Sequence, residues 1–89
     1  MRSVITVVGK DMVGILSKIS TLCAENGVNV IEVSQSILQD MFCMIMIVDV
    51  SKCSLPFGDF ADRLSTIGNE MNLCVHAMHE DIFNSMHKI

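Results

Sequence analysis

Two stretches of the chain are apolar at nearly every position, and this constrains the fold more than any other feature of the sequence. They run from Arg2 to Val8 and from Met41 to Val50. In each of them apolar residues occur both at odd positions and at even positions. Strands that are covered on both faces have this composition. We therefore expect these two stretches to be the central strands of a sheet.

Two more polar stretches are expected to be the outer strands. Between Val28 and Leu38, the apolar residues Ile31, Val33 and Ile37 alternate with polar ones, which is typical of a half-buried strand at a sheet edge. The last strand, Leu73 to Met78, is short and contains a histidine.

Three segments between and after these strands have helical periodicity. The first runs from Val13 to Asn26, and Gly27 after it can take the positive φ of a helix C-terminus. The second has Ser54 as a candidate N-cap, and its apolar stripe extends from Phe57 to Met71. The tail from Glu80 to Ile89 places four apolar residues on one helical face: Ile82, Phe83, Met86 and Ile89.

The order of elements predicts an α+β fold of the ferredoxin-like type, βαββαβ, with an antiparallel four-stranded sheet in the order 4-1-3-2. Both connecting helices lie on one face of such a sheet. We expect residues 1–79 to form the domain and residues 80–89 a C-terminal helical extension. We also expect Met44, Met46 and Val48 to lie on the face without the two helices, where a second chain or the C-terminal helix would cover them.

Composition excludes several classes of function. The net charge is −4 and the six Lys and Arg residues are scattered, so no surface for nucleic acid is predicted. No apolar run reaches the ~18 residues that span a bilayer, and no signal peptide is recognised, which predicts a cytoplasmic protein without membrane contact. Its four cysteines are then expected to be reduced and mostly buried.

The apolar content is high for a chain of this length. Apolar residues make up 51% of the 89 residues, whereas a domain of this size hides only about 60% of its unfolded surface. We therefore expect a second copy of the chain to cover part of the apolar surface, as in a homodimer.

The segment from Gly9 to Ile15 turns the first strand into the first helix and is the best candidate for a binding site. The first N–H groups of a helix have no partner within it and lie at the positive end of the helix dipole, so this corner can hold a carboxylate or a phosphate. The alternative is structural: Asp11 caps the helix and the two glycines only make the bend.

Two motifs in register with this order of elements resemble the ACT domain, a small regulatory module that binds amino acids. They are Gly9-x-Asp11-x-x-Gly14-Ile15 and Gly27-Val28-Asn29-Val30. The chain is most similar to small stand-alone ACT proteins, and through them to the ACT parts of the glycine cleavage repressor and of formyltetrahydrofolate deformylase. Many ACT domains have Arg-Pro-Gly where this chain has Met12-Val13-Gly14. The resemblance implies a ligand site at the following residues: Asp11, Met12, Val13, Gly14, Ile15 and Asn29.

An amino acid would fit this set of groups. The N–H groups of Gly14 and Ile15 can take the carboxylate, Asn29 can bridge carboxylate and ammonium, and Asp11 can meet the ammonium. Asn29 has an equally simple structural interpretation, which is to stabilise the turn into the second strand. The resemblance implies that two chains join side by side, so that the loop of one and the second strand of the other enclose the ligand.

The function expected is therefore that of a regulatory amino-acid-binding module, without cofactor or catalysis, acting on a partner protein. The three histidines all lie near the C-terminus, and no base is paired with a nucleophile. One alternative is an adaptor or dimerisation module whose ligand site is vestigial. Another is metal binding through Cys74, His76 and His79, although four ligands at standard spacing are missing.

Overall fold

A computed structural model of the chain describes residues 2–10 and 14–86. Four strands and three helices follow one another along these residues. Their bounds are β1 Arg2–Gly9, α1 Ile15–Glu25, β2 Asn29–Leu38, β3 Met41–Asp49, α2 Phe57–Glu70, β4 Cys74–His79 and α3 Glu80–Met86. The predicted βαββαβ order and the additional C-terminal helix are confirmed.

The four strands form one antiparallel sheet in the order β2-β3-β1-β4, which is the predicted order counted from the other edge. The two strands that are apolar on both parities, β1 and β3, are central as expected. Their register places Arg2 opposite Asp49 at one end of the sheet and Gly9 opposite Phe42 at the other. This is the ferredoxin-like arrangement.

The core lies between the sheet and the pair α1 and α2, which cover one face. The prediction of which side of β3 faces the helices was wrong. Met44, Met46 and Val48 are fully buried on the helix side and do not lie on the open face. Their partners on β1 show this, since Ile5 lies opposite Met46 and belongs to the same core cluster. The open face of β3 instead presents Cys43, Ile45 and Ile47.

The edge strand β2 is more exposed than its alternating pattern suggested. Val33 is 36% exposed, Ile31 47% and Ile37 73%. A bulge at Ile31 interrupts the pairing with β3, so that Val30 and Glu32 lie opposite consecutive residues of β3. Beyond the bulge, Val33 and Ile37 lie opposite Met46 and Phe42, on the helix side of the sheet, but neither is buried.

Both long helices end in a residue with left-handed backbone conformation. After α1 this residue is Gly27, with φ 74°, and the N–H of Val28 then donates to the carbonyl of Cys23 over 2.8 Å. After α2, Asn72 has φ 57° and the N–H of Leu73 donates in the same way to Gly68. These are Schellman-type ends, and the one at Gly27 was predicted.

Ser54 does not cap α2 as expected. The helix begins at Phe57 after Pro56, without a side-chain cap. Ser54 instead donates its N–H to the carbonyl of Asn26 over 2.9 Å, and its hydroxyl lies 3.4 Å from the Asn26 side-chain oxygen. The contact joins the loop after β3 to the end of α1.

The third helix, α3, lies against β1 and β4 on the open face. Phe83 is half-buried there, whereas Ile82 is 55% exposed. Within residues 2–10 and 14–86, no helix has both the length and the apolarity needed to cross a membrane. The four cysteines are free thiols, but only Cys23 is buried and Cys74 is exposed, so the expectation that most would be buried was wrong.

Candidate functional site

Of the segment from Gly9 to Ile15, the structure describes both ends, and Gly14 is the N-cap residue directly before α1. Gly14 has φ 79°, a conformation that favours glycine, and its carbonyl accepts the N–H of Lys18 over 3.0 Å. No described atom lies within 4 Å of the position of an added Cβ, so the backbone here is open to an approaching group. Three of the predicted site residues, Asp11, Met12 and Val13, lie outside the described residues.

The first turn of α1 has the electrostatic character that the sequence predicted. It contains no acidic residue, and no described side chain caps its first N–H groups. The side chain of Ile15 is buried in the core at 1% exposure, so this residue has only its backbone N–H to offer a ligand. Because the first N–H groups of a helix have no partner within the helix and lie at the positive end of its dipole, this terminus favours an anion.

Asn29 is the first residue of β2, and its side chain is exposed. The turn that precedes it is held by a different asparagine: the Asn26 side-chain amide donates to the carbonyl of Leu22 over 2.8 Å. The Asn29 side chain makes no hydrogen bond to the part of the chain that the structure describes. Its amide is therefore open to a ligand, whereas the Asn26 amide is used in the last turn of α1.

A cleft of about 230 Å³ surrounds Asn29, and its other walls are Gly27, Asp49, Ser51 and Lys52. Asp49 lies directly opposite Asn29 in the sheet. Its Oδ1 accepts the Ser51 hydroxyl over 2.6 Å and the Ser51 N–H over 2.8 Å, and these two bonds lower the pKa of the Asp49 carboxyl. The cleft thus joins an amide, an ionised carboxylate and a lysine.

Sequence reasoning missed Asp49, Ser51 and Lys52 as neighbours of Asn29. The turn Gln39-Asp40 could have identified them. If Leu38 is paired with Met41 and the antiparallel register is continued along both strands, Asn29 comes to within one residue of Asp49. The bulge at Ile31 supplies the remaining shift of one residue.

Within one chain, the structure does not bring Asn29 and Gly14 together. Asn29 lies at the end of the sheet where β1 begins, since both it and Arg2 are opposite Asp49. Gly14 follows the other end of β1. The eight residues of β1 separate the two ends by about 25 Å, at the usual rise of a strand. The two halves of the predicted site therefore belong to opposite ends of the molecule.

The residues of the metal alternative do not form a metal centre. Cys74 and His76 share the open face of β4, as alternation predicted, and both are exposed. His79 has another role: its Nδ1 accepts the N–H of Asp81 over 3.0 Å at the start of α3. Across residues 2–10 and 14–86, no three His, Cys, Asp or Glu side chains are grouped to hold a metal ion.

Comparison with known proteins gives matches along the whole length of the chain. A family model described as the ACT domain matches residues 2–83. A UPF0237 protein from Listeria innocua is 40% identical over 89 residues, covering all of both chains. Another from Methanocaldococcus jannaschii is 41% identical over 88 residues, covering 99% of this chain and 98% of the relative.

Solved structures show the same fold. An ACT domain protein from Streptococcus pneumoniae has a TM-score of 0.80 and 32% identity, with 93% of each chain covered. A putative glycine cleavage system transcriptional repressor has a TM-score of 0.72 and 24% identity, covering 85% of this chain and 43% of that one. A formyltetrahydrofolate deformylase from Pseudomonas syringae has a TM-score of 0.77 and 20% identity, covering 88% and 27%. The last two share the fold with this chain, and both are kinds of protein that the sequence motifs suggested.

Proposed function

This chain belongs to the ACT domain family of regulatory ligand-binding modules, and we propose that it binds an amino acid in a site completed by a second copy of the chain. The observation that supports a shared site is the separation of its two halves. An anion-binding helix terminus and an exposed amide, about 25 Å apart along one chain, cannot contact the same amino acid.

The free edge of β2 is the surface that would join the copies. A strand at a sheet edge presents unpaired N–H and C=O groups, and exposed apolar side chains beside them make such an edge a pairing surface. On this edge Val33 and Ile37 are both exposed. Lys18 and Leu22 line a groove between α1 and α2. Leu16, which is 37% exposed, lies on the opposite side of α1 and therefore faces away from α2.

Twofold symmetry then joins the two half-sites. When two copies of β2 pair antiparallel about a twofold axis, the first residue of one strand meets the last residues of the other. Asn29 of one copy would lie beside Ile37 of the other, at the end of the sheet where the loop before Gly14 emerges. Each dimer would contain two such sites.

The groups on the two sides of the interface complement an amino acid. The N–H groups at Gly14 and Ile15 would take the carboxylate. The Asn29 amide can accept from the ammonium and donate to the carboxylate. The ionised Asp49 in the same cleft favours a cation beside Asn29. Regulation would pass from this interface to another protein, because the module itself has no proposed catalytic group.

A thermal-shift screen across the standard amino acids tests this function. A ligand that binds only the folded dimer stabilises it by about 2.7 kcal/mol at a hundred times its Kd. For a domain of this size, that raises the Tm by on the order of 10 °C. We expect one or a few amino acids to give such a shift with the native chain.

The variant Asn29→Ala should lose most of the shift, while its Tm without ligand stays within about 4 °C of the native value because the side chain is exposed. Ser65→Ala, at an exposed position of α2 and not on the β2 edge, is the matched control and should keep the shift. The absence of a shift for every amino acid at millimolar concentration would contradict ligand binding and favour the adaptor function, for which the exposed apolar edge of β2 is sufficient.

A further inference from the structure

A groove on the open face of the sheet lies away from the β2 edge, and none of its lining residues belongs to the proposed amino-acid site. Its volume is about 400 Å³, and Phe83 of α3 forms one wall. The floor comes from three strands, β1, β3 and β4. The side chains used below are Thr6, Val8, Ile45, His76, Met78 and Phe83.

The groove exists because α3 covers only part of this face. The helix starts directly after β4 and folds back onto β1 and β4. Val4, opposite Met78 in the sheet, points to the open face and is still only 1% exposed, so this part is covered. Further along β1, Val8 lies between Cys43 and Cys74, and Cys74 is exposed, so the cover ends before that level.

The floor of the groove is apolar except at one point. Thr6 lies between Ile45 on β3 and His76 on β4 in direct cross-strand register, so the side chains of Thr6 and His76 are neighbours on the open face. Neither side chain makes a hydrogen bond to the described residues. Small-molecule sites are typically apolar clefts of about 300–1,000 Å³ in which a few polar groups converge, and this groove has that size and composition.

We propose that the groove binds a small amphipathic carboxylic acid. Its hydrocarbon or aromatic body would lie on Val8 and Ile45 against the ring of Phe83. Its carboxylate would accept hydrogen bonds from the Thr6 hydroxyl and from an N–H of the His76 imidazole. An anionic head fits better than a cationic one, because none of the described residues that line the groove carries a carboxylate to pair with a cation, whereas Thr6 and His76 can both donate.

The shape of the groove favours a small molecule over a second copy of the chain. The open face of a second copy carries its own α3, and in this chain α3 stands above the floor of the groove as a wall. Such a face would meet α3 before it reached Thr6. A ligand of a few carbon atoms enters beside Phe83 without displacing the helix.

Octanoate is a suitable probe, and its binding can be followed residue by residue in ¹H–¹⁵N correlation spectra of the native chain. We expect saturable shifts of the amides around Thr6, Ile45 and His76. Octylamine, which has the same body and the opposite charge, should bind at least about tenfold more weakly, because no carboxylate among the described lining residues can pair with its ammonium. Equal binding of the two, or no shift at millimolar octanoate, would overturn the proposal.

Matched variants test the polar contact separately from folding. Thr6→Val keeps the shape and removes the hydroxyl, so octanoate affinity should fall about five- to tenfold. Thr6→Ser, which retains the hydroxyl, should bind nearly as well as the native chain. Ile82→Ala, at an exposed position of α3, should bind unchanged, whereas Phe83→Ala should bind more weakly.

Two further outcomes would overturn this site without touching the proposed amino-acid function. Shifts concentrated along β2 would place octanoate at the edge strand. If the chemical shifts of the groove amides change with protein concentration when no octanoate is present, a second copy of the chain occupies the groove. An amino acid that raises the Tm without moving the groove amides would leave the two sites independent.

Discussion

The carbonyl oxygen of Lys52 lies where a side chain on Gly27 would begin, at 2.6 Å from the position of an added Cβ. Gly27 also has φ 74°, so two constraints act on one residue. The close approach fixes the loop after β3 against the end of α1, next to the hydrogen bond from Ser54 to Asn26. The cleft around Asn29 depends on this arrangement.

Gly27→Ala should therefore destabilise the chain more than Gly14→Ala. Both glycines have positive φ, which costs a non-glycine residue about 1–2 kcal/mol. Only Gly27 adds a backbone clash, of about 1–3 kcal/mol, because no described atom lies within 4 Å of a Cβ on Gly14. Urea unfolding of the two variants measures the difference directly. Equal losses of stability would contradict the packing described for Gly27.

The exposed apolar edge of β2 predicts a dimer that a single charge disrupts. Ile37 is 73% exposed in one chain, so Ile37→Asp should leave the folded monomer intact and weaken association at least about tenfold, because a charge would be buried at the interface. Sedimentation equilibrium checks the state of association. Ile82→Asp on α3 is the control and should dimerise normally. A native chain that sediments as a 9.8 kDa species at every concentration would contradict the edge pairing.

The hydrogen bonds of Ser51 predict a pH dependence on the acid side. They lower the pKa of the Asp49 carboxyl in the folded chain below the 3.8 of an ordinary aspartate. The stabilisation is therefore fully present above that value and is lost as the pH falls through the lowered folded pKa. An NMR titration should give Asp49 a higher pKa in Ser51→Ala than in the native chain, and the stability difference between the two should shrink in acid. An Asp49 pKa that is the same in Ser51→Ala and in the native chain would contradict the role given to the Ser51 hydroxyl.

The four thiols should differ in reactivity by their environment. Burial, with a smaller effect from nearby Cys53, raises the pKa of Cys23 to about 11 from 9.0. Its thiolate fraction near neutral pH is then about a hundredfold below that of an ordinary thiol. Alkylation by iodoacetamide followed by mass spectrometry should label exposed Cys74 first and Cys23 only on unfolding. Early labelling of Cys23 would show that the end of α1 opens readily.

The sheet order was predictable from the sequence because the contrast between strands is strong. β1 and β3 are apolar on both faces, whereas β2 and β4 are not. The first two must therefore be the central strands, which leaves few possible strand orders for the sheet. The same feature prevented the facing of β3 from being predicted. Met44 and Ile45 are both apolar, so alternation cannot distinguish the core side from the open side, and only the register with β1 decides.

The site was predictable only in part, for a related reason. Local patterns identified Gly14, directly before α1, and Gly27, shortly after its end. They could not show that Ser54 bonds to Asn26, because that contact joins segments 28 residues apart. The opposite placement of Gly14 and Asn29 follows from the topology, but the second chain that would bring them together lies beyond any single-chain pattern.

Complementation between two defective variants tests the shared site most directly. Asp11→Ala removes the predicted ammonium partner in the loop, and Asn29→Ala removes the amide at the other half-site. Each variant alone should fail to bind the amino acid that gives the largest thermal shift. In a mixed dimer, one of the two sites would combine a native loop with a native Asn29.

Calorimetric titration of an equimolar mixture, refolded together, counts these restored sites. We predict binding at about a quarter of the native number of sites with native affinity, since half of randomly paired dimers are mixed and each restores one site of two. If the mixture binds no more than the separate variants do, the site does not lie between chains, and the account is contradicted.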